Sequence, residues 1–239
     1  MRPLAALDAL AELALPRTCA GCGRSGVSLC RTCDIALDRP LLQDAAAVRP
    51  LPCPVGMPPT WSQVPYAGAP ARALRVHKDA GRSDLAPRLA RLLRAAVAGA
   101  VEHDPLVGDA VMAGAPVLVI PMPTRGTSVR ARGGDPMLTL TRLACAGAVP
   151  LRLVSALRVS GRGRDQAGLS ALERAVNVRN SMAVRGRWAS VVEGATCVIA
   201  DDIVTTGSSL TEAARALRQA GAGHVAAATV ASTVRHTGR

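Results

Sequence analysis

Short apolar runs alternate with amphipathic stretches along most of the chain. Residues 116–121 (PVLVIP), 196–202 (TCVIADD) and 224–233 (HVAAATVAST) are apolar runs of strand length, the pattern of strands buried on both faces. WSQVPYAG (61–68) predicts a short strand and turn, and LRLVSALR (151–158) another β-like run after a helical stretch. Between them lie helical patterns. ARALRVHK (71–78) predicts a short helix; Leu85, Leu89, Leu92 and Ala96 recur at helical spacing; and SSLTEAARALRQAG (208–221) predicts a helix capped by Gly221 or Gly223. Strands alternating with helices predict an α/β fold with a mainly parallel sheet flanked by helices.

The two ends of this pattern differ from its middle. At the N-terminus Leu4, Leu7, Leu10 or Ala11, and Ala14 fall on one helical face, and Pro16 stops it. Asp8 and Glu12 interrupt the apolar stretch, so it is expected to be an amphipathic lead-in helix rather than an export signal. From 39 to 60 the chain is rich in proline without periodicity, which predicts a connector. Three parts are expected: 1–38, 39–60 and 61–239.

Composition narrows the function. With 239 residues, 49% of them hydrophobic and 19% charged, the chain is too apolar for disorder and carries no run that could span a membrane. Its 29 Lys and Arg against 17 Asp and Glu leave a net charge of +12, which suits polyanion ligands. Aromatic residues are 1% of the chain, with no Phe. Base stacking on rings is therefore not available as a main recognition mode, and the core must be built from Ala, Leu and Val.

Four of the seven cysteines, Cys19, Cys22, Cys30 and Cys33, form two CxxC pairs separated by seven residues. Two such turns supply the four thiolates of a closed tetrahedral Zn2+ site, structural because no coordination position is left for water. The alternative is a pair of disulfides, disfavoured in the reducing cytoplasm expected for a chain without an export signal. Cys145 and Cys197 lie in apolar runs and are read as small core residues; Cys53 has no assigned role.

The most informative stretch is 196–210, TCVIADDIVTTGSSL. An apolar strand ends in Asp201 and Asp202, and a helix is predicted from about Ser208. Ligands of open α/β sheets bind at the carboxyl ends of strands. Thr205, Thr206, Gly207, Ser208 and Ser209 offer hydroxyls and amides at a helix N-terminus, an anion site, and Gly207 permits close approach of the backbone. No GxxxxGK[ST] pattern is present, which excludes a nucleoside triphosphatase loop. A ribose 5-phosphate satisfies both halves, its phosphate in the loop and its 2- and 3-hydroxyls on the acids.

Residues 201–209 resemble the phosphoribosyl pyrophosphate (PRPP) signature of type I phosphoribosyltransferases. Further features are similar to the ComF family, phosphoribosyltransferase-like proteins associated with competence for DNA uptake. They are the double CxxC; Tyr66, Gly68, Arg72, Leu74 and Lys78; Pro121, Pro123, Arg130, Arg132 and Gly133; and Arg158, Gln166, Leu169, Arg174 and Asn177. Gly134, Asp135 and Pro136 stand where the family has Phe-Asn-Gln.

The resemblance implies a type I phosphoribosyltransferase-like fold preceded by a small zinc-ribbon appendage. It implies PRPP binding with Mg2+, with Asp201 and Asp202 as the catalytic acids holding the ribose. Thr205, Thr206, Gly207, Ser208 and Ser209 would take the phosphate, and the turn of Pro121, Met122, Pro123, Thr124 and Arg125 would meet the pyrophosphate. Arg162 and Arg164, within the glycine-containing segment 160–168, are candidates for a lid over it, against the alternative of a solvated charged face. His77, His103, His224 and His236 are dispersed and are read as surface or strand-end residues.

Two functions are compatible with these features. One is phosphoribosyl transfer. The other is an accessory role in DNA uptake or processing, with the basic surface binding single-stranded DNA or a protein partner without catalysis. Trp61, Tyr66 and Trp188 lie outside the ribose-phosphate motifs, an argument against a base-clamping acceptor site. The acceptor and the oligomeric state are not encoded in any motif.

Overall fold

The computed structural model describes residues 18–124, 134–160 and 180–233. The lead-in helix, Arg125, Arg130, Arg132, Gly133, the lid arginines Arg162 and Arg164, Gln166, Leu169, Arg174, Asn177 and His236 lie outside them.

A six-stranded sheet has the order β1-β2-β8-β7-β3-β4, formed by β1 (Ala46–Ala47), β2 (Thr60–Pro65), β3 (Val117–Pro121), β4 (Leu151–Leu153), β7 (Thr196–Val204) and β8 (His224–Ser232). All neighbours pair parallel except β1 with β2. The expected mainly parallel α/β sheet is therefore present. The helices are α1 (Arg31–Asp38), α2 (Gly68–Asp79), α3 (Ala86–His103), α4 (Pro105–Met112), α5 (Pro136–Cys145), α6 (Ala189–Val192) and α7 (Ser208–Gln219).

Strand alternation sorts the core into two layers. Val198 and Ala200 of β7 and Ala226, Ala228 and Val230 of β8 face α3, with Leu89, Leu93, Ala96 and Val97 buried against the sheet. Cys197 and Ile199, with Val225 and Ala227, face α7 and its Leu210, Ala213 and Leu217. Small strand residues let the helices approach the sheet closely, so the core is filled mainly by Ala, Leu and Val without any Phe. At Gly99 of α3 the approach leaves no room for a side chain, since a Cβ there would lie 2.6 Å from the Ala45 Cβ.

Helix α7 ends in a Schellman motif. Gly221, at φ +85°, donates to the Arg218 carbonyl, and Ala222 donates to that of Leu217. Of the two glycines considered for the cap, Gly221 holds the left-handed position. The run 151–158 is not one strand. Leu151–Leu153 joins the main sheet as β4, whereas β5 (Leu157–Val159) pairs antiparallel with β6 (Met182–Val184) in a separate ribbon. Within the proline-rich segment, β1 forms the sheet edge and Ala45 and Val48 are buried.

Candidate functional site

The site forms where β3 ends beside β7, which carries Asp201 and Asp202 within the strand and runs on to Val204. Pro121 is in register with Ala200, and the next amide, Met122, donates to the Ala200 carbonyl at 2.8 Å. The chain after β3 therefore leaves the sheet beside Asp201. Between the strand ends, α2 and α5 lies a cleft of about 140 Å³ lined by Met122, Pro123, Thr124, Asp201 and Asp202, by Leu74, His77 and Lys78 of α2, and by Met137 and Leu140 of α5.

The turn after β3 is tied to α5 by one carboxylate oxygen. Asp135 Oδ1 accepts from the amides of Met137 and Leu138, at 3.0 and 3.2 Å, and from the Thr124 hydroxyl at 2.9 Å. Asp135 is thus the N-cap of α5, with Pro136 at the first helical position, and it ties Thr124 to that helix.

The two acids differ in setting. Asp201 is buried, and burial first, then the charge of Asp202, pushes its carboxyl well above the usual carboxylate range. Asp202 is paired with Lys78, whose Nζ lies 2.6 Å from Asp202 Oδ2. Burial alone would lower the Lys78 ammonium, but Asp202 and then Asp201 outweigh it and raise it above the usual lysine range.

The candidate phosphate loop runs from Thr205 to Ser209. Gly207 sits at φ +76° as the N-cap residue of α7, and its carbonyl accepts from the Thr211 amide at 2.9 Å. Thr205, Thr206 and Ser209 are exposed, and the Thr206 and Ser208 hydroxyls lie 3.1 Å apart. Met57 and Pro50 cover Gly207 from the other side: a Cβ there would lie 2.5 Å from Met57 Sδ.

His77 and Lys78 were not expected at the site as side chains. His77 is buried, its Nδ1 lies 2.8 Å from the Arg82 carbonyl, and its Nε2 has no hydrogen-bond partner among the described residues. Leu74, His77 and Lys78 share i, i+3, i+4 spacing, which places them on one helical face. That spacing was the available signal.

The four N-terminal cysteines converge. Their Sγ atoms all lie within 4.8 Å of one another, and Cys22 and Cys30 are 3.7 Å apart. A tetrahedral zinc with ~2.3 Å bonds spaces its sulfurs by ~3.8 Å, whereas a disulfide needs ~2.05 Å. The cluster could hold a metal, and its spacing fits a structural zinc ribbon. Burial pushes the Cys33 thiol up to about 12, as do the neighbouring thiols; for Cys19 burial acts upward too, but the amides of Cys30, Gly21 and Cys22 outweigh it and hold it at about 6.

This knuckle is fastened to α2 and α3. Arg72 Nε donates to the Gly21 carbonyl, Arg82 donates to the Thr18 carbonyl at 3.1 Å, and Arg88 pairs with Asp34 and Asp38 at 3.1 and 3.2 Å. Gly21 is required by proximity, because a Cβ would lie 2.5 Å from Cys33 Sγ.

A cleft at the carboxyl end of a parallel strand, beside an acid pair that leads towards a glycine-headed helix, stands where open α/β sheets bind ligands. Residues 116–238, just over half of the chain, match the family model for the phosphoribosyl transferase domain, and the chain belongs to that family. Among solved structures, the allosteric regulatory enzyme of purine biosynthesis aligns at 22% identity and a TM-score of 0.33, covering 60% of this chain and 25% of that one. The chain thus spans about a quarter of that enzyme's length. No curated protein sequence matches it. None of the described helices is long and apolar enough to cross a membrane.

Proposed function

We propose that the cleft binds PRPP as its magnesium complex and transfers the phosphoribosyl group to a nitrogen acceptor. One observation carries this reading: β7 runs without a break through Asp201 and Asp202 to Val204, and after three intervening residues α7 begins behind Gly207. A ligand with a diol at one end and a phosphate at the other fits that order of groups. Asp201 and Asp202 accept from the ribose hydroxyls, residues 205–209 take the 5-phosphate, and the turn at Pro121 to Arg125 meets the pyrophosphate. Magnesium bound to the substrate would offset the charge of the leaving group. Departure of pyrophosphate leaves an oxocarbenium-like sugar, which the acids stabilise electrostatically while the acceptor nitrogen attacks the anomeric carbon.

No aromatic side chain lines the cleft among the described residues. Trp61 is buried in the core, so recognition of the acceptor rests on Leu74, His77, Met137 and Leu140 rather than on a ring clamp. Calorimetry with PRPP and Mg2+ tests the assignment, since Asp201→Asn/Asp202→Asn should abolish the binding heat. Equal heats for the parent and the variant sink it.

We read the chain as ComF-like, with Zn2+ as a structural ion in the cysteine knuckle, the gathered thiols fitting a reducing cytoplasm. An accessory role in DNA uptake or processing rests on the +12 charge. A salt titration of single-stranded DNA binding separates it from the enzyme reading, because phosphate-driven binding weakens steeply with salt.

A further inference from the structure

Resting on the ribose-phosphate reading, we propose that Lys78 is a specificity residue: it occupies Asp202 in the ligand-free protein and favours a ribose 5-phosphate carrying pyrophosphate at C1 over ribose 5-phosphate itself. Lys78 stands in the last turn of α2 and precedes the family-matched segment, 124 positions from Asp202 in sequence, yet its Nζ lies 2.6 Å from Asp202 Oδ2. Its side chain is 50% exposed while that of Asp202 is 13% exposed, so the ammonium covers the acid from the solvent side. A sugar diol that needs Asp202 must displace it.

What happens to the displaced ammonium decides between the ligands. Lys78 shares the cleft with Met122, Pro123 and Thr124, the turn where the pyrophosphate is placed. Its four-carbon stem lets the ammonium swing within the cleft without moving α2. With ribose 5-phosphate bound, Lys78 gives up Asp202 Oδ2, and the ligand offers no anion at C1 in exchange. With PRPP bound, it exchanges a carboxylate for a pyrophosphate oxygen, a charge-assisted contact at least as strong. The acid pair is thus screened by an internal competitor that only a second anion on the sugar can satisfy.

Calorimetry on the full chain tests this, using PRPP with Mg2+ and ribose 5-phosphate with Mg2+ as separate probes. Lys78→Met keeps the stem and removes the charge. It should weaken PRPP by about tenfold or more, while ribose 5-phosphate is unchanged or tighter by up to about fivefold. Lys78→Arg should restore most of the PRPP affinity. Parallel weakening of both ligands makes Lys78 a structural residue and overturns the proposal. Tightening of both reduces it to a blocker and also overturns it. A parent protein that binds neither sugar phosphate overturns the underlying reading, and the proposal falls with it.

Discussion

The guanidinium of Arg82 donates to both the carbonyl and the hydroxyl of Ser28, at 3.1 and 2.6 Å. It thereby fastens the cysteine knuckle to the chain just beyond the helix that carries Lys78. Asp84 completes the clamp, pairing with Arg82 at 2.8 Å and accepting from Ser28, and Arg82 in turn holds the Asp84 carboxyl down at about 2.

Arg82→Ala should therefore loosen the knuckle without removing any thiol. The expected result is unchanged zinc content by mass spectrometry and a melting temperature lower by several degrees, from the loss of about 1–3 kcal/mol of charged hydrogen bonding. Chelation of the metal should cost more, since the site's binding energy is also folding energy. An Arg82→Ala protein that melts with the parent shows that the knuckle is held by Arg72 and Arg88 alone.

Asp201 predicts an inverted pH dependence. Its folded carboxyl is raised above the ordinary range, so the native state binds the proton more tightly than the unfolded chain. Stability from this group is fully present at pH below the ordinary carboxylate range and is lost as pH rises through the raised value. Asp202 and Lys78 face the same cleft. Asp201→Asn, which mimics the protonated acid, should melt a few degrees above the parent at pH 8, with the difference closing towards pH 3. The same variant should lose PRPP binding. A variant that melts below the parent at pH 8 contradicts the assignment.

The local pattern reached the β7 strand, the acid pair and the helix behind Gly207, because each is encoded in consecutive residues. Lys78 and His77 were not legible as cleft residues, since their placement depends on α2 crossing the end of β7, a contact between segments far apart in sequence. The run 151–158 was legible as extended but not as two strands, because periodicity reports backbone conformation and not the partner strand. Asp135 carries a signal readable in the sequence. An Asp followed by Pro ahead of an apolar periodic stretch is a helix start, and in the fold it is also the tie to Thr124.

Gly207→Ala separates two constraints at the loop. The positive φ disfavours any Cβ by roughly 1–2 kcal/mol, and Met57 Sδ lies where that Cβ would go. Met57 is flexible at its end, so Met57→Ala should relieve the clash but not the backbone strain. The double variant should therefore recover only part of the melting temperature lost by Gly207→Ala. Full recovery would assign the whole effect to crowding.

Glu212 fixes the small ribbon to α7. It is buried, and Oε1 accepts from the Met182 amide at 3.0 Å while Oε2 pairs with Arg215 Nε at 2.8 Å; Arg215 in turn donates to the Met182 carbonyl at 3.0 Å. Burial acts to raise the Glu212 carboxyl, but Arg215 and the Met182 amide outweigh it and hold it below the usual range. Its contribution to stability is accordingly present above the ordinary glutamate range and lost as pH falls through the depressed value, the opposite sign to Asp201. Glu212→Ala leaves the Met182 amide without its acceptor and removes the carboxylate partner of the partly exposed Arg215, and should cost about 1–3 kcal/mol at pH 7. Hydrogen exchange at 182–184 should accelerate in that variant, and its stability deficit should shrink as both proteins are taken towards pH 3. Unchanged protection at 182–184 would place the anchor of β6 in its pairing with β5 rather than in Glu212.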